Sequence, residues 1–453
     1  MVAKGGSGTV TEALFERLTE SLEGALPSVT PRRLFTRASF PGKATAVIGM
    51  RRAGKSSFLH QLRGERLEAG VERERLPFVN FEDERLSGLE VSHLTALVEE
   101  YYRRYPSFRG KATVTWCFDE IQVVPGWERF VRRLLDSERC EVFLSGSSAA
   151  LLSREVATAM RGRGWEVLLH PFSFEEALRH AGFTPPERLD RVSSSLRSEL
   201  EHRFLAYLRA GGFPEAQGLE EADRNELLLR YVDVAILRDV AERHAVSNLT
   251  ALRAMVRHLL GNPGGLFSVE KFHARLKAQG LSVSRDTLHA LLGYLEDCFL
   301  IRPLWMEARS ERQRMVNPRK VYPVDPALSP IFDWSGKANL GHALETAVRL
   351  ELERRRAEVT YVKTPEGFEV DFLAKWPGKR PSLVQVAADL RDEAVAEREA
   401  RGLLAAKKRL PRASLHLVTL TPEAAANLPA EISVVAAWRW FLEGTTQSKE
   451  GAS

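Results

Sequence analysis

The sequence predicts an α/β protein whose first half is a parallel sheet covered by helices on both faces. Three observations carry that expectation. Apolar, β-favouring runs at 44–49, 77–83, 113–120, 140–147 and 164–172 alternate with helical segments, the pattern of parallel strands joined by crossover helices. The loop from Gly49 to Ser56 reads G-x-x-x-x-G-K-S between the first strand run and a helix. The run Thr113 to Phe118 ends in the acid pair Asp119 and Glu120. At 453 residues the chain exceeds what one core usually organises, so several domains are expected.

Residues 1–31 read as an N-terminal extension, a floppy start followed by a short amphipathic helix. In the loop that follows the first strand, glycines at 49 and 54 let the backbone curl so that its N–H groups face phosphate oxygens. Arg52, Ala53, Gly54, Lys55, Ser56 and Ser57 then form the cradle, with Lys55 reaching the β- and γ-phosphates of ATP and the Ser56 hydroxyl ligating Mg2+. Such a loop predicts a later strand ending in a magnesium-side acid. Asp119 fills that position, and Glu120 is placed to polarise the attacking water. The strand CEVFLS ends in Ser145, Gly146, Ser147 and Ser148, where a hydroxyl of Ser145 or Ser147 can sense the γ-phosphate or serve as a plain turn former. Arg161 or Arg163, just before the fifth strand, could enter a neighbouring subunit's nucleotide site or remain a solvated loop cation.

The order GMRRAGKSS, PFVNFEDERL, FDEIQVVPGWERFVRRL, LSGSSAALLSREVATAMRGR, PFSFEEAL and YLRAGGFPEA resembles the bacterial and archaeal AAA-type ATPases that carry a winged-helix segment and a restriction-endonuclease-like C-terminal domain. The resemblance covers residues 32 to 440. It implies hydrolytic roles for Lys55, Ser56, Asp119 and Glu120. It also places Arg163 where such proteins carry an arginine finger, which favours a homo-oligomer. Gly212-Phe213-Pro214 is similar to the Gly-x-Pro of related switch ATPases, which implies that Pro214 packs near the adenine. The implied organisation is a P-loop ATPase core at 32–184, a helical lid at 185–247, a winged-helix segment at 248–335, a restriction-endonuclease-like domain at 336–443 and a disordered tail at 444–453.

The segments after the core support that division. Apolar spacings of three and four across 185–262 predict helices. Three further helical segments are followed by two strands, FLIRPLW and KVYPVD, that flank a basic hairpin. Ser284 is a candidate N-cap for the third helix. Arg309, Arg312, Arg314, Arg319 and Lys320 in the hairpin could neutralise phosphates of double-stranded DNA. The third helix offers only Arg285, Asp286 and His289 as early polar contacts, which is thin for base readout, so a packing role for the whole segment stands beside DNA binding.

From residue 339 onward the order is helix, three strands, helix, strand, which resembles the restriction-endonuclease-like core. Glu345 and Asp371 match its first two metal-holding positions. Gln385 stands where the next acid is expected, and Ala387 where the lysine is expected. Losing one donor aimed at transition-state charge costs on the order of 100- to 1,000-fold in rate. The sequence therefore reads as a degenerate nuclease site, with Lys375, at an even offset from Asp371, as a relocated lysine.

Apolar residues are 44% and charged residues 28%, ordinary for a globular protein. No apolar run approaches the roughly 20 residues of a membrane span. Three scattered cysteines form neither a disulfide framework nor a zinc pattern, so a cytoplasmic location is expected. A net charge of +5 allows a nucleic-acid partner without demanding one. The leading expectation is a Mg-ATP-hydrolysing ATPase whose nucleotide state controls the C-terminal elements. An ATP-regulated nuclease and a nucleotide-gated scaffold are the alternatives.

Overall fold

The computed structural model describes residues 7–146, 158, 160, 162–308, 310, 312–313, 317–333, 339–425 and 427–446. The chain divides into two compact units, Met1–Leu169 and His170–Ser453.

The first unit is built on a five-stranded sheet of β1 (Ala44–Ile48), β2 (Phe78–Asn80), β3 (Val114–Asp119), β4 (Cys140–Ser145) and β5 (Gly164–Leu168). Their order is β2-β3-β4-β1-β5 and every pairing is parallel. Alternation along β3 shows why its sequence is mostly apolar. Trp116 meets Tyr101 of the helix Val91–Arg104 edge-on at 4.9 Å, and Phe118 lies 5.9 Å from Phe130 of the helix Trp127–Ser137. Cys117, between them, packs with Phe58, Leu59 and Leu62 of the helix Lys55–Glu68 on the other face. A strand buried on both sides needs no polar face. The N-terminal helix Ser7–Glu23 belongs to this unit. Its Leu14, Leu18 and Leu22 are buried, and the Ser21 hydroxyl accepts the Phe78 N–H at 3.2 Å.

The second unit begins with the helices Phe174–His180, Ser194–Ala210 and Glu221–Val234, the last continuing as a π-helical turn over Ala235–Glu242. The helices Leu249–Leu260, Val269–Ala278 and Arg285–Asp297 follow. Ser284 caps the last by accepting the Thr287 N–H at 3.0 Å, as its position predicts. They pack with an antiparallel sheet of β6 (Leu266–Phe267), β7 (Ile301–Leu304) and β8 (Arg319–Pro323), in the order β6-β8-β7.

The helix Leu340–Arg354 leads into a second five-stranded sheet. Its strands are β9 (Glu358–Lys363), β10 (Glu369–Lys375), β11 (Ser382–Ala387), β12 (Ser414–Thr419) and β13 (Ile432–Ala436), with the helix Glu393–Arg409 between β11 and β12. Strands β9 to β11 are antiparallel, and β12 and β13 add in parallel. One apolar cluster joins Leu344, Ala347 and Val348 of the first helix to Phe372 and Ala374 of β10. A second joins Val370 and Leu373 of the same strand to Leu403 and Ala406 on the opposite face.

Val370 and Leu373 are three residues apart yet share a cluster because β10 bulges between them. The bulge breaks the two-residue alternation across Asp371, so Lys375 does not share its face. Lys375 is 38% exposed and donates to Glu307 at 2.7 Å. The expectation that it replaces the missing nuclease lysine is therefore overturned. Among the described residues, no helix is long and apolar enough to cross a membrane.

Candidate functional site

Parallel pairing brings the C-terminal ends of β1, β3 and β4 to one edge, and the phosphate-loop residues collect there. Gly49 leaves β1 with φ 148°, and a Cβ at that position would stand 2.2 Å from the Leu169 carbonyl oxygen. Only glycine fits there. Arg52 turns at φ 67° and Gly54 at φ 95°, and the helix begins at Lys55. Ala53 is buried, whereas Arg52, Ser56 and Ser57 are exposed at the loop and helix start. Lys55 is buried and its ammonium donates to the carbonyls of Gly49 and Met50, each at 3.1 Å. Arg32 donates to the Ala53 carbonyl at 2.8 Å, and its own N–H is received by Gln61 at 2.7 Å. Nothing in the local sequence marks Arg32 as a brace for this loop.

Asp119 ends β3 with no exposed surface. Ser145, at the end of β4, donates its hydroxyl proton to Asp119 Oδ1 and receives the Glu120 N–H at 3.2 Å. The hydroxyl therefore ties the Asp119 carboxylate to the Glu120 backbone. Burial raises the Asp119 pKa above the usual carboxylate range, while the Ser145 and Ser56 hydroxyls and the Lys55 charge pull it back. Asp119 Oδ2 is buried with no hydrogen-bond partner among the described residues. An uncompensated buried carboxylate oxygen is costly, and it fits a divalent cation.

Glu120 adopts φ 54°, ψ 40°, which turns its side chain away from the run of the strand. Gln122 donates its amide to Glu120 Oε2. Burial raises the Glu120 pKa, opposed by Lys55 and Gln122. Such a carboxylate is a stronger base than a solvated one. Gln122 lies two residues after the acid pair, and its position in FDEIQ is the signal that could have found it.

Ser147, Ser148 and Arg161 lie outside the described residues. Arg163 pairs with Asp136 and gives its carbonyl to Ala44 N–H at 2.8 Å, at the N-terminal end of β1. That is the sheet edge opposite the phosphate loop, so Arg163 does not serve its own chain's loop. Pro214 belongs to the second unit, where it opens the short 3-10 turn Pro214–Ala216.

The turn before Pro214 is held by Asp325, whose carboxylate accepts Gly212 N–H at 2.7 Å and Ala327 N–H at 2.9 Å. Truncation in Asp325→Ala leaves two buried N–H groups unmet and should destabilise the fold by about 2–5 kcal/mol, read by denaturant unfolding. Burial lifts the Asp325 pKa to about 7 from an ordinary 3.8. A folded pKa above the unfolded one gives stability that is full at low pH and fades as pH rises through the folded value. The second unit should accordingly lose up to about 1.4 kcal/mol per pH unit between roughly pH 4 and 7 from this group. Thermal unfolding of Asp325→Asn should show a shallower slope there.

The C-terminal carboxylates also converge. Glu345 and Asp371 both receive the Lys320 ammonium, at 3.2 and 3.1 Å, and Glu369 receives it at 2.8 Å. Tyr322 donates to Glu345 at 2.6 Å, and Val386 N–H to the second oxygen of Asp371 at 3.1 Å. Gln385 is spent within the sheet: its oxygen accepts Asp371 N–H at 3.2 Å and its amide donates to Glu399 at 2.7 Å. Both ends of the Gln385 amide are thus committed within the chain. Burial and Glu345 raise the Asp371 pKa, against the pull of Lys320. Among the described residues no group of three or more His, Cys, Asp or Glu is arranged to hold a metal.

Lys320 was expected on a DNA-contacting hairpin, and the structure corrects that: it is 4% exposed and committed to acids. Arg319 stacks 4.1 Å over Trp305 and is half-buried. Arg312 is exposed, and Arg309 and Arg314 lie outside the described residues.

Comparison with known proteins defines the class first. Residues 41–178 match the AAA domain family, so the parallel sheet, phosphate loop and acid pair are those of an AAA-type P-loop domain. Residues 201–333 match a domain of unknown function, DUF8612. Over 442 residues the chain is 30% identical to the uncharacterized protein MJ1544 of Methanocaldococcus jannaschii, covering 95% of each, and it belongs to the family of that protein. An uncharacterized protein of Haemophilus influenzae is 29% identical over 331 residues, 73% of this chain and 78% of that one. Among solved structures, the Walker-type ATPase PABY2304 of Pyrococcus abyssi is similar over 71% of this chain and 95% of that one, at 17% identity and a TM-score of 0.40.

Proposed function

We propose that the protein hydrolyses ATP with Mg2+. The observation that carries this reading is the buried Asp119 oxygen without a partner among the described residues, at the edge that bears Lys55 and Ser56. Asp119 and Ser56 would hold the cation, and Lys55 and the backbone of residues 49–57 would hold the phosphates. The cation, when bound, neutralises charge on the β- and γ-phosphates. Glu120 takes the proton of the attacking water, Ser145 and Gln122 fix its orientation, and Arg163 of a neighbouring copy would stabilise transition-state charge. Isothermal titration of the full chain should show saturable Mg-ATP binding. A folded protein that gives no heat with Mg-ATP overturns the reading.

The three helices and the β6-β8-β7 sheet support a winged-helix reading of the middle segment. The order of helix and strands after residue 339 supports a degenerate restriction-endonuclease-like domain. Double-stranded DNA is the partner proposed for these elements, through Arg312 and the helix start at Arg285 and His289, as Arg319 and Lys320 are engaged within the chain. ATP turnover measured with and without double-stranded DNA, followed by a gel, tests this. Faster turnover over intact DNA supports it, and indifference to DNA moves the partner to protein.

A further inference from the structure

We propose that Lys320 is a built-in counter-ion that occupies the carboxylate cluster of the C-terminal sheet and keeps divalent metal out. The inference stands on the geometry of that cluster and does not depend on the ATPase reading. Lys320 reaches across from β8, a strand of the three-stranded sheet, and its ammonium lies within 3.2 Å of carboxylate oxygens from Glu345, Glu369 and Asp371. Those acids come from the helix Leu340–Arg354 and from β10. Tyr361, itself buried, lies with its ring centre 5.8 Å from the same ammonium.

The donors around the acids complete the closure. Glu345 Oε1 receives both Lys320 and Tyr322, and the two oxygens of Asp371 receive Lys320 and the Val386 N–H. A divalent ion at these oxygens would stand beside the ammonium. Even with full water screening, that repulsion at about 4 Å is worth about 30-fold in affinity, and more in a buried site. The three carboxylates hold the Lys320 pKa far above its ordinary value despite burial, so the lysine keeps its charge.

The same contact has a structural consequence. A buried ammonium shared by three acids locks β8 to the C-terminal sheet, and removing it leaves those acids facing one another. The cluster is therefore a latch between the two sheets of the second unit, its ammonium filling the place a cation would take. Lys320 does for the acids what a bound cation would do, without exchanging with solvent.

The test uses the full chain without nucleotide, Mn2+ as the probe and electron paramagnetic resonance to count free ion. Wild type should bind no Mn2+ that Asp371→Asn removes. Lys320→Met, which keeps length and apolar stem but removes the charge, should bind Mn2+ at least about 30-fold more tightly. That gain should vanish in Lys320→Met/Asp371→Asn and be missing from Lys320→Arg. Mn2+ bound by wild type and lost in Asp371→Asn overturns the proposal, since Lys320 would then sit beside a working metal site. This arm needs no lysine variant to fold. A folded Lys320→Met that binds no more Mn2+ than wild type overturns it as well.

Discussion

Glu120→Gln protein retains ATP and releases phosphate about 100- to 10,000-fold more slowly than wild type, the range spanned by loss of a positioned general base. The substitution keeps the size and the acceptor oxygen that Gln122 binds, so the backbone turn at φ 54° and the bridge from Ser145 survive. What it removes is the charge that receives a proton. Because phosphate contacts come from the loop and Lys55, binding persists while turnover fails. Single-turnover kinetics with filter retention of labelled nucleotide measure both. Equal turnover by the two proteins would mean that Glu120 is only a structural cap at the strand end.

Lys55→Met is the second large effect. The ammonium is buried and holds two carbonyls of its own loop, Gly49 and Met50, each at 3.1 Å. Phosphate oxygens would draw it away from those carbonyls, so the loop is shaped by the same charge that recognises the ligand. Truncating one partner of a buried charged contact costs roughly 2–5 kcal/mol. Titration calorimetry should therefore report Mg-ATP binding weaker by about 30- to several thousand-fold. Circular dichroism should be unchanged, because the helix Lys55–Glu68 is anchored by Phe58, Leu59 and Leu62. Affinity within a few-fold of wild type would place the phosphates elsewhere.

The first unit was legible because its signals are local. The phosphate loop, the strand ending in Asp119 and Glu120, and the strand ending in Ser145 each occupy a short stretch, and a parallel sheet necessarily carries their ends to one edge. Arg32 and Gln122, which brace that edge, were not read: Arg32 acts through a contact 21 residues away in the chain. In the second unit, sequence parity failed at one bulge. Counting by two from Asp371 reaches Lys375, but the extra residue between Val370 and Leu373 turns Lys375 toward Glu307. The lysine that meets the acids is 51 positions from Asp371, in a basic stretch that reads as a solvated hairpin. No periodicity announces a contact between two sheets. Asp325, which holds the turn before Pro214, is hidden for the same reason, lying 113 positions from Gly212.

The most direct test of the central claim is phosphate release from Mg-ATP by wild type and by Asp119→Asn, each with and without a chelator. Turnover by wild type that the chelator and the substitution both remove is the predicted result. Release that persists in Asp119→Asn with Mg2+ present, or a folded wild-type protein that binds Mg-ATP and releases no phosphate, would contradict an ATPase built on this edge of the sheet.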